Sequence, residues 1–271
     1  MPPFTNPEHV LTTDILKILE KTTGIGDRDA WVNIFFLLSK SEHDNQRPEN
    51  TFETSKGTSV FFFAKRLPYD GEQRGVTVGF AGWTTANDGN DKHGDFSKLG
   101  IRYKKLGGVD LRKLSKGLTK DKDKADDFCK KIQSLHGEYA DLFVQAQFED
   151  LCHTNGYIYE AVHGLKKAGI DKPSPLALAA VIDTLINQGI GGKWCPVKWL
   201  EAFHAEHKNA PECKILREFL KWKKVAATKN EHNDPPSNGE KRSQMFIDLL
   251  DDDGYDLPTA LCEKVVTWTM K

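Results

Sequence analysis

Two acidic residues, Glu42 and Glu72, stand where one carboxyl group could donate a proton while the other activates water. Glu42 follows the apolar run 31–38, which predicts a buried helix, so it would lie at the C-terminal end of that helix. The negative end of the helix dipole disfavours another negative charge and raises the pKa of a carboxyl group there. One protonated and one ionised carboxyl group facing each other across a groove can hydrolyse a glycosidic bond.

The second carboxylate, Glu72, comes just before a short predicted strand. Val76, Val78 and Phe80 alternate with small or hydroxyl residues, and this period of two is typical of a strand. Gly75 would let another part of the chain approach its backbone closely. In a chain with 39 acidic residues, however, a given pair of carboxylates is far more often solvated surface than catalytic machinery. Residue chemistry therefore permits a hydrolytic site without requiring one.

Two segments resemble the catalytic core of the glycoside hydrolase family 46 chitosanases, especially the Bacillus type. They are Leu-Leu-Ser-Lys-Ser-Glu, which ends at Glu42, and Arg-Gly-Val-Thr-Val-Gly, which begins at Arg74. The resemblance implies that Glu42 is the general acid and that Thr77 helps to hold the attacking water. The ending of the chain, 265–271, is also similar to the Bacillus type, so the resemblance spans nearly the whole sequence.

The resemblance leaves the identity of the general base open. The family has an Asp where this chain has Glu72, and Asp70 is the only other carboxylate nearby. Relative to the family, about a dozen residues within 45–59 are inserted between the two carboxylates, and a surface loop tolerates such an insertion at small thermodynamic cost. The Thr, Ser, Glu and Asn content of this insertion predicts a loop.

A further carboxylate, Asp183, falls inside an apolar predicted helix. A buried Asp is costly unless a cation or several donors meet it, so the sequence predicts a partner. The resemblance supplies a charge network in which this Asp joins two basic residues and the catalytic Glu. Arg242 matches one of them, and Arg74 belongs to the supporting set. Lys223 stands where the family commonly has Arg, and its ammonium group cannot form the two parallel hydrogen bonds that a guanidinium group makes to a carboxylate. That Lys223 is simply an exposed lysine on a helix is an equally open interpretation.

The polar, Gly-rich segment 87–95 predicts a loop, in which Asp88 and Asp91 are candidate substrate-binding residues. The spacing of its Asp and Asn is superficially like that of a calcium loop, but the Glu at the twelfth position is missing. We therefore expect no metal and no cofactor.

Composition limits the other classes of function. The formal net charge of −1 lacks the basic excess that a general nucleic-acid or anionic-membrane binder needs, so neither partner is expected. The sequence contains no apolar run long enough to span a membrane and no visible signal peptide. The resemblance implies an extracellular enzyme, the alternative being an intracellular protein, and we expect a monomer.

Five cysteines, an odd and sparse set, do not predict a disulfide framework, and most are expected to be buried thiols. Bacillus-type relatives join a Cys before the base to one in the following helix. Cys129 matches the second of these, but Leu67 occupies the first position, so that bridge is absent.

Helices are predicted from Thr12 to Gly24 and from Asp27 or Asp29 to Glu42. A third, which Pro173 and Pro175 open, is predicted over 176–188 and ends at Gly189. A long helical period runs over 128–169, after a charged linker or helix start near 117–127 that could act as a hinge between lobes. The run 60–64 is too short to classify by period, and the family has a helix there.

These features together predict a mainly α (α+β), lysozyme-like fold of two lobes within one catalytic domain, 1–271, with a small β element at the substrate cleft. The function implied by the resemblance is an endo-acting, inverting chitosanase, a glycoside hydrolase whose substrate is chitosan or a related amino-sugar polysaccharide. Two alternatives stay open. One is a hydrolase of another amino-sugar polymer, and the other is a non-catalytic carbohydrate-binding or interaction protein.

Overall fold

The computed structural model describes residues 4–43, 51–54, 57–68, 73–86, 94–192, 194–229 and 236–252, with backbone only for 41–43, 67–68, 73–74, 227–229 and 236–239. Its helices are α1 (Pro7–Val10), α2 (Thr13–Thr23), α3 (Arg28–His43), α4 (Phe96–Lys105), α5 (Leu111–Leu114), α6 (Lys122–Gln133), α7 (Glu138–Cys152), α8 (Tyr157–Lys167), α9 (Pro175–Gln188), α10 (Pro196–Glu206), α11 (Glu212–Lys229) and α12 (Pro236–Asp251). One antiparallel sheet contains β1 (Ala64–Pro68), β2 (Gln73–Val78) and β3 (Trp83–Thr84) in that order. The predicted class, mainly α with a small β element, is confirmed.

The chain divides into two compact units, each formed from two stretches of sequence. The first unit contains Met1–Ile15 and Phe52–Leu151, and the second contains Leu16–Thr51 and Cys152–Lys271. The predicted hinge segment, 117–127, lies within the first unit, where Asp121 caps α6 by accepting a hydrogen bond from the backbone N–H of Lys124. A hinge at this segment stays a prediction. In the described part of the chain, no helix is long and apolar enough to cross a membrane.

The first unit has an aromatic core beneath its sheet. Phe52, Phe61, Phe80 and Phe148 are buried with ring centroids 4.9 to 6.5 Å apart, and α6 packs against β1 and β2. Phe52 belongs to the inserted segment 45–59, so part of this insertion contributes to the core and is not only a surface loop.

The prediction of a helix over 60–64, which the family resemblance implied, is wrong. The structure has a 3-10 turn at Val60–Phe62, followed at once by β1. The carbonyl of Phe63 accepts a hydrogen bond from the backbone N–H of Gly79 (2.7 Å), so this stretch pairs with the neighbouring strand instead of continuing a helix. The pairing depends on residues distant in sequence, which local periodicity does not report.

The long helical period over 128–169 is also interrupted, giving α6, α7 and α8. The breaks contain Gly137 and Asn155, whose φ angles are 55° and 67°, and such left-handed backbone ends an α-helix. The expectation of mostly buried thiols is wrong among the described cysteines: Cys195 is buried, whereas Cys129 is half-buried and Cys213 is exposed.

The second unit is built around α9. Every residue of this helix from Leu176 to Leu185 is buried, and α3, α8, α10, α11 and α12 all pack against it. Ser174 caps its first turn by accepting a hydrogen bond from the backbone N–H of Ala177 (3.2 Å), and Gly189, at φ 79°, ends it as predicted. A helix that is apolar on all sides is a core helix.

Candidate active site

The predicted general acid, Glu42, lies at the end of α3. The helix begins where the Asp27 carboxylate accepts a hydrogen bond from the backbone N–H of Ala30 (2.9 Å), as predicted. It ends at His43, which makes Glu42 its penultimate residue. The side chain of Glu42 lies outside the described residues, but its backbone has the predicted place at the negative end of a helix dipole.

Asp183 on α9 is fully buried and lies between two cations from the C-terminal part of the chain. Its Oδ2 accepts a hydrogen bond from Nζ of Lys223 on α11, and its Oδ1 accepts one from Nη2 of Arg242 on α12 (2.7 Å). The structure therefore places these three predicted residues together. Lys223 is buried, at 3% exposure, so the interpretation of an exposed helix lysine is wrong.

Asn187, one turn after Asp183 on α9, completes this cluster and was not predicted. Its Oδ1 accepts a hydrogen bond from Nη1 of Arg242 (2.8 Å), and its Nδ2 donates to the backbone carbonyl of Asp183 (2.7 Å). The i, i+4 spacing from a buried Asp was the signal available in the sequence. Nζ of Lys223 also lies 4.9 Å from the ring centroid of Phe246.

Asp183 is ionised in this environment. Burial alone would raise its pKa, but the charges and hydrogen bonds of Arg242 and Lys223 outweigh burial and hold the pKa well below its ordinary value. Among the described residues, Asp183 thus joins α9 to α11 through Lys223 and to α12 through Arg242, in both cases by charge-assisted hydrogen bonds. Removing one partner of such a cluster typically costs about 3 to 5 kcal/mol, because the remaining charge stays buried.

In the first unit, the predicted strand is β2, and position 72 immediately precedes it. Thr77 lies opposite Lys65 on β1 and Thr84 on β3, and its side chain points away from the core face that Val76 and Val78 occupy. The Oγ1 atom of Thr77 is buried and has no hydrogen-bond partner among the residues that the structure describes. A buried hydroxyl in that condition is costly in free energy and is available to hold a bound water.

Gly75 has a steric reason to be glycine. Its φ is 72°, and a Cβ atom there would lie 2.3 Å from Oγ1 of Thr85. That hydroxyl accepts a hydrogen bond from the backbone N–H of Val76 (2.9 Å), while the N–H of Thr85 donates to the carbonyl of Val76 (2.9 Å). Gly75 of the predicted motif thus leaves room for Thr85 to hydrogen-bond to β2.

Gln147 on α7 holds the end of the same hairpin. It belongs to the segment 143–147, which resembles the central-helix signature of the family, but the sequence predicted no role for it. It is fully buried, and its Oε1 accepts a hydrogen bond from the backbone N–H of Phe80 (3.1 Å). Its Nε2 donates to the carbonyls of Phe61 (3.1 Å) and Phe143 (3.4 Å). One side chain therefore fixes the turn after β2, the 3-10 turn and α7 to one another.

A second group of polar side chains surrounds β3. Oδ1 of Asp95 accepts hydrogen bonds from the backbone N–H (2.5 Å) and Oγ1 (3.4 Å) of Thr84. Nε1 of Trp83 donates to Oδ2 of Asp150 (2.9 Å), and Nε of Arg102 lies 3.5 Å from Oδ1 of the same carboxylate. Burial raises the pKa of Asp95 to about 6 despite the hydrogen bonds from Thr84, and the nearby charge of Asp150 adds to the rise.

Several predicted site residues cannot be placed. Glu72, Asp70, Asp88 and Asp91 lie outside the described residues, and for Arg74 the backbone in β2 is described but the side chain is not. Their roles stay predictions. Within the described residues, no three His, Cys, Asp or Glu side chains are grouped to hold a metal ion.

Comparison with known proteins identifies the fold. No family model matches the sequence, and no curated protein matches it. The structure is similar to that of a glycoside hydrolase family 46 chitosanase from Gynuella sunshinyii in complex with chitotetraose, with a TM-score of 0.58 and 20% identity over 85% of this chain and 91% of that chain.

Two chitosanase structures from Bacillus subtilis MY002 are similar to the same degree. One is a mutant complexed with six GlcN units (TM-score 0.61, 21% identity, 86% of this chain and 92% of that chain). The other is the native enzyme (TM-score 0.56, 19% identity, 86% and 92%). The chain therefore has the lysozyme-like fold of the family 46 chitosanases, and the resemblance seen in the sequence is confirmed at the level of the fold.

Proposed function

We propose that this protein is an endo-acting chitosanase that hydrolyses β-1,4 bonds between glucosamine units of chitosan with inversion at the anomeric carbon. The observation that carries the proposal is the fold similarity, which covers 85 to 86% of the chain and in each case leads to a chitosanase. Two of those structures hold chitotetraose or six GlcN units, which supports an amino-sugar polymer as the substrate. We further propose that the enzyme acts outside the cell as a monomer.

In the proposed mechanism, Glu42 gives its proton to the glycosidic oxygen as the bond from that oxygen to the anomeric carbon breaks. Glu72 takes a proton from a water molecule, whose oxygen forms the new bond on the opposite face of the sugar. Inversion requires the two carboxyl groups to be about 6.5 to 9.5 Å apart, leaving room for the water. Thr77, whose buried Oγ1 has no partner among the described residues, would hold that water.

The place of Glu42 in its helix suits the role of a general acid. Glu42 is the penultimate residue of α3, where the helix dipole favours the protonated form that a general acid needs at neutral pH. Because α3 packs against α9, the buried cluster of Asp183, Lys223 and Arg242 would keep the helix that carries the acid in place, with Arg74 as a further supporting cation. Asp88 and Asp91 would contact the sugar chain.

A second candidate function is carbohydrate binding without hydrolysis on the same fold. The specific observation in its favour is Glu72, which stands where the family has an Asp base. The extra methylene could displace the attacking water, and a displacement of about 1 Å can cost roughly a hundredfold in rate. A hydrolase of another amino-sugar polymer is the third possibility.

The decisive experiment incubates the purified protein with chitosan and, in parallel, with peptidoglycan, and follows product size and anomeric configuration by proton NMR. We expect chitosan oligomers that are first released as the α-anomer. Glu42→Gln should abolish hydrolysis while leaving folding and sugar binding nearly intact, because an amide keeps the shape but cannot donate the proton.

Glu206→Gln is the matched control, because Glu206 is an exposed Glu that ends another helix, α10. Substantial activity in Glu42→Gln would remove Glu42 from its proposed role. Turnover of peptidoglycan alone would favour the third possibility. Binding of chitosan without turnover of either polymer would favour the second.

A further inference from the structure

The first unit carries a concentration of positive charge that the proposed function does not use. From 96 to 120, the sequence has one acidic residue, Asp110, and eight basic residues: Lys98, Arg102, Lys104, Lys105, Arg112, Lys113, Lys116 and Lys120. The formal net charge of the whole chain is only −1, so this segment differs sharply from the rest of the protein. Its basic residues lie on α4, α5 and the residues that follow.

Most of these charges are available to a partner. Arg102 lies 3.5 Å from Asp150 and 3.6 Å from Glu149, and Nζ of Lys104 donates to Asp110 (2.6 Å). The other six are exposed and form no ion pair with any residue that the structure describes; they are Lys98, Lys105, Arg112, Lys113, Lys116 and Lys120. The charge run that begins at Asp121 differs, because it is compensated internally by pairs such as Lys122 with Asp126.

The packing of α4 against α5 forms a groove of about 400 Å³, which we call the basic groove. It is lined by Ile101, Lys104, Lys105, Asp110 and Arg112. The two helices meet at Gly100, where a Cβ atom would lie in ordinary van der Waals contact, 3.4 Å from both the backbone N and the Cβ of Arg112. Lys113 is near enough to help lower the pKa of Asp110, after the larger effect of the Lys104 hydrogen bond. The groove is therefore lined by three cations, one carboxylate and one apolar side chain, that of Ile101.

The side chains of 96–120 argue against nucleic acid and against a lipid surface as the partner. Phe96 and Tyr103, the aromatic residues of 96–120, are both fully buried, so the segment offers no rings on which nucleic-acid bases could stack. Two large apolar side chains, Ile101 and Leu114, are exposed here, which is too little to anchor a protein in a lipid interface. Lysines outnumber arginines in this segment. An ammonium group acts as a point charge, whereas a guanidinium group can form two parallel hydrogen bonds to one phosphate.

From this charge complementarity we propose that the basic groove and the lysines around it bind an acidic polysaccharide, a flexible chain of sugars bearing sulfate or carboxylate groups. Basic clusters of this kind are typical of heparin-binding patches. The basic groove would take no part in chitosan hydrolysis, because chitosan is itself a polycation and would be repelled from it. The proposal therefore stands or falls independently of the chitosanase activity.

The test measures binding of the purified protein to heparin, which carries sulfates, and to alginate, which carries carboxylates, over a range of salt concentrations. The patch variant combines Lys105→Gln, Arg112→Gln and Lys113→Gln. The control variant combines Lys166→Gln, Lys172→Gln and Lys214→Gln, which removes the same charge from exposed lysines of the second unit. Thermal melts of all three proteins confirm that these surface changes leave the fold intact.

We expect the parent and the control variant to bind alike and the patch variant to bind at least about tenfold more weakly. The slope of log Kd against log salt should fall in magnitude by about two for the patch variant, because three cations no longer displace counterions. Binding to heparin alone would assign a sulfated chain, and binding to alginate as well would extend the site to carboxylates. Equal binding by the patch and control variants would overturn the proposal, as would tighter binding to duplex DNA or to phosphatidylserine vesicles than to either polysaccharide.

Discussion

Gln147 occupies the space that a side chain at position 79 would need. A Cβ atom on Gly79 would lie 2.4 Å from Oε1 of Gln147, the atom that accepts the hydrogen bond from the backbone N–H of Phe80. The turn after β2 therefore packs directly against the Gln147 side chain of α7, with no room for a Cβ atom between them. This fit sets the position of the strand that carries Thr77.

Gly79→Ala should lower the free energy of unfolding by about 3 to 4 kcal/mol, because it combines a positive φ of 76° with displacement of a buried hydrogen-bonding side chain. Gly117→Ala is the control, since its φ is 77° but nothing lies within 4 Å of its Cβ position. Backbone strain alone should cost that variant about 1 to 2 kcal/mol. Urea unfolding measures both, and equal losses would show that the contact with Gln147 contributes nothing.

Thr77→Val should separate stability from activity. Val removes a buried hydroxyl that has no partner among the described residues, so the free energy of unfolding should rise by about 1 kcal/mol. If Thr77 holds the attacking water, kcat should fall on the order of a hundredfold, because the water loses its position. Thr77→Ser should recover most of the activity. A Val variant as active as the parent would exclude Thr77 from the mechanism.

Asp183→Ala should destabilise the protein by about 3 to 5 kcal/mol, because Lys223 and Arg242 would stay buried after losing their hydrogen bonds to the Asp183 carboxylate. Exposed Asp171, changed to Ala, should shift stability by less than about 0.5 kcal/mol. The pKa of Asp183 is lowered in the folded state, so its stabilisation is present above about pH 4 and is lost as the pH falls further. Urea unfolding at pH 7 and pH 3 tests both statements; a loss as small as that of Asp171→Ala would contradict the first.

Asp95 should make the protein less stable at pH 7 than at pH 5. Its pKa is raised to about 6, so the folded state binds a proton that the unfolded state has already released between about pH 4 and 6. Stability contributed by this proton is lost as the pH rises through 6, and between pH 5 and pH 7 the loss should be of the order of 1 kcal/mol after allowance for partial exposure.

Asp95→Asn keeps an acceptor for the N–H of Thr84 and should flatten this part of the pH profile, whereas Asp171→Asn should leave it unchanged. Thermal melts from pH 4.5 to 7.5 are the measurement. An unaltered profile in the Asp95 variant would show that another group is responsible.

The identity of the base is tested by substitutions at positions 72 and 70. Glu72→Gln should nearly abolish chitosan hydrolysis, and Asp70→Asn should be tolerated. Glu72→Asp should lower activity if the inserted residues have moved the backbone to suit Glu, and should raise a weak activity if they have not. An inactive Asp70→Asn variant, together with a fully active Glu72→Gln variant, would show that Asp70 is the base.

Local signals in the sequence were sufficient for several parts of this structure. The cap of α3 at Asp27 depends only on a polar side chain and the next three residues, and the end of α9 depends on Gly189, so the sequence displays both directly. Asp183 could be predicted to have a cationic partner because an ionised group inside an apolar helix is otherwise too costly. The family resemblance then pointed to Arg242 as the partner, although the two are far apart in sequence.

Features that depend on distant pairing were not predictable in this way. The strand β1 exists because residues 64–68 meet β2, and the apolar run before it has no period that distinguishes strand from helix. Gln147 and Asp95 resemble ordinary polar residues of a helix and a loop until the backbone N–H groups of Phe80 and Thr84 are brought to them. Asn155 adopts a positive φ that composition alone does not reveal.

The buried cluster of Asp183, Lys223 and Arg242 also constrains the order in which the two units can fold during synthesis on the ribosome. Asp183 is synthesised 59 residues before Arg242, an interval of several seconds at about 5 to 20 residues per second. Until α12 has emerged, the carboxylate of Asp183 on α9 lacks the guanidinium group of Arg242, while all the sequence of the first unit has already been made. Nascent chains should therefore complete the first unit early and the second only after α12 has been made, and a product that stops before residue 236 would contain a folded first unit and an incomplete second one.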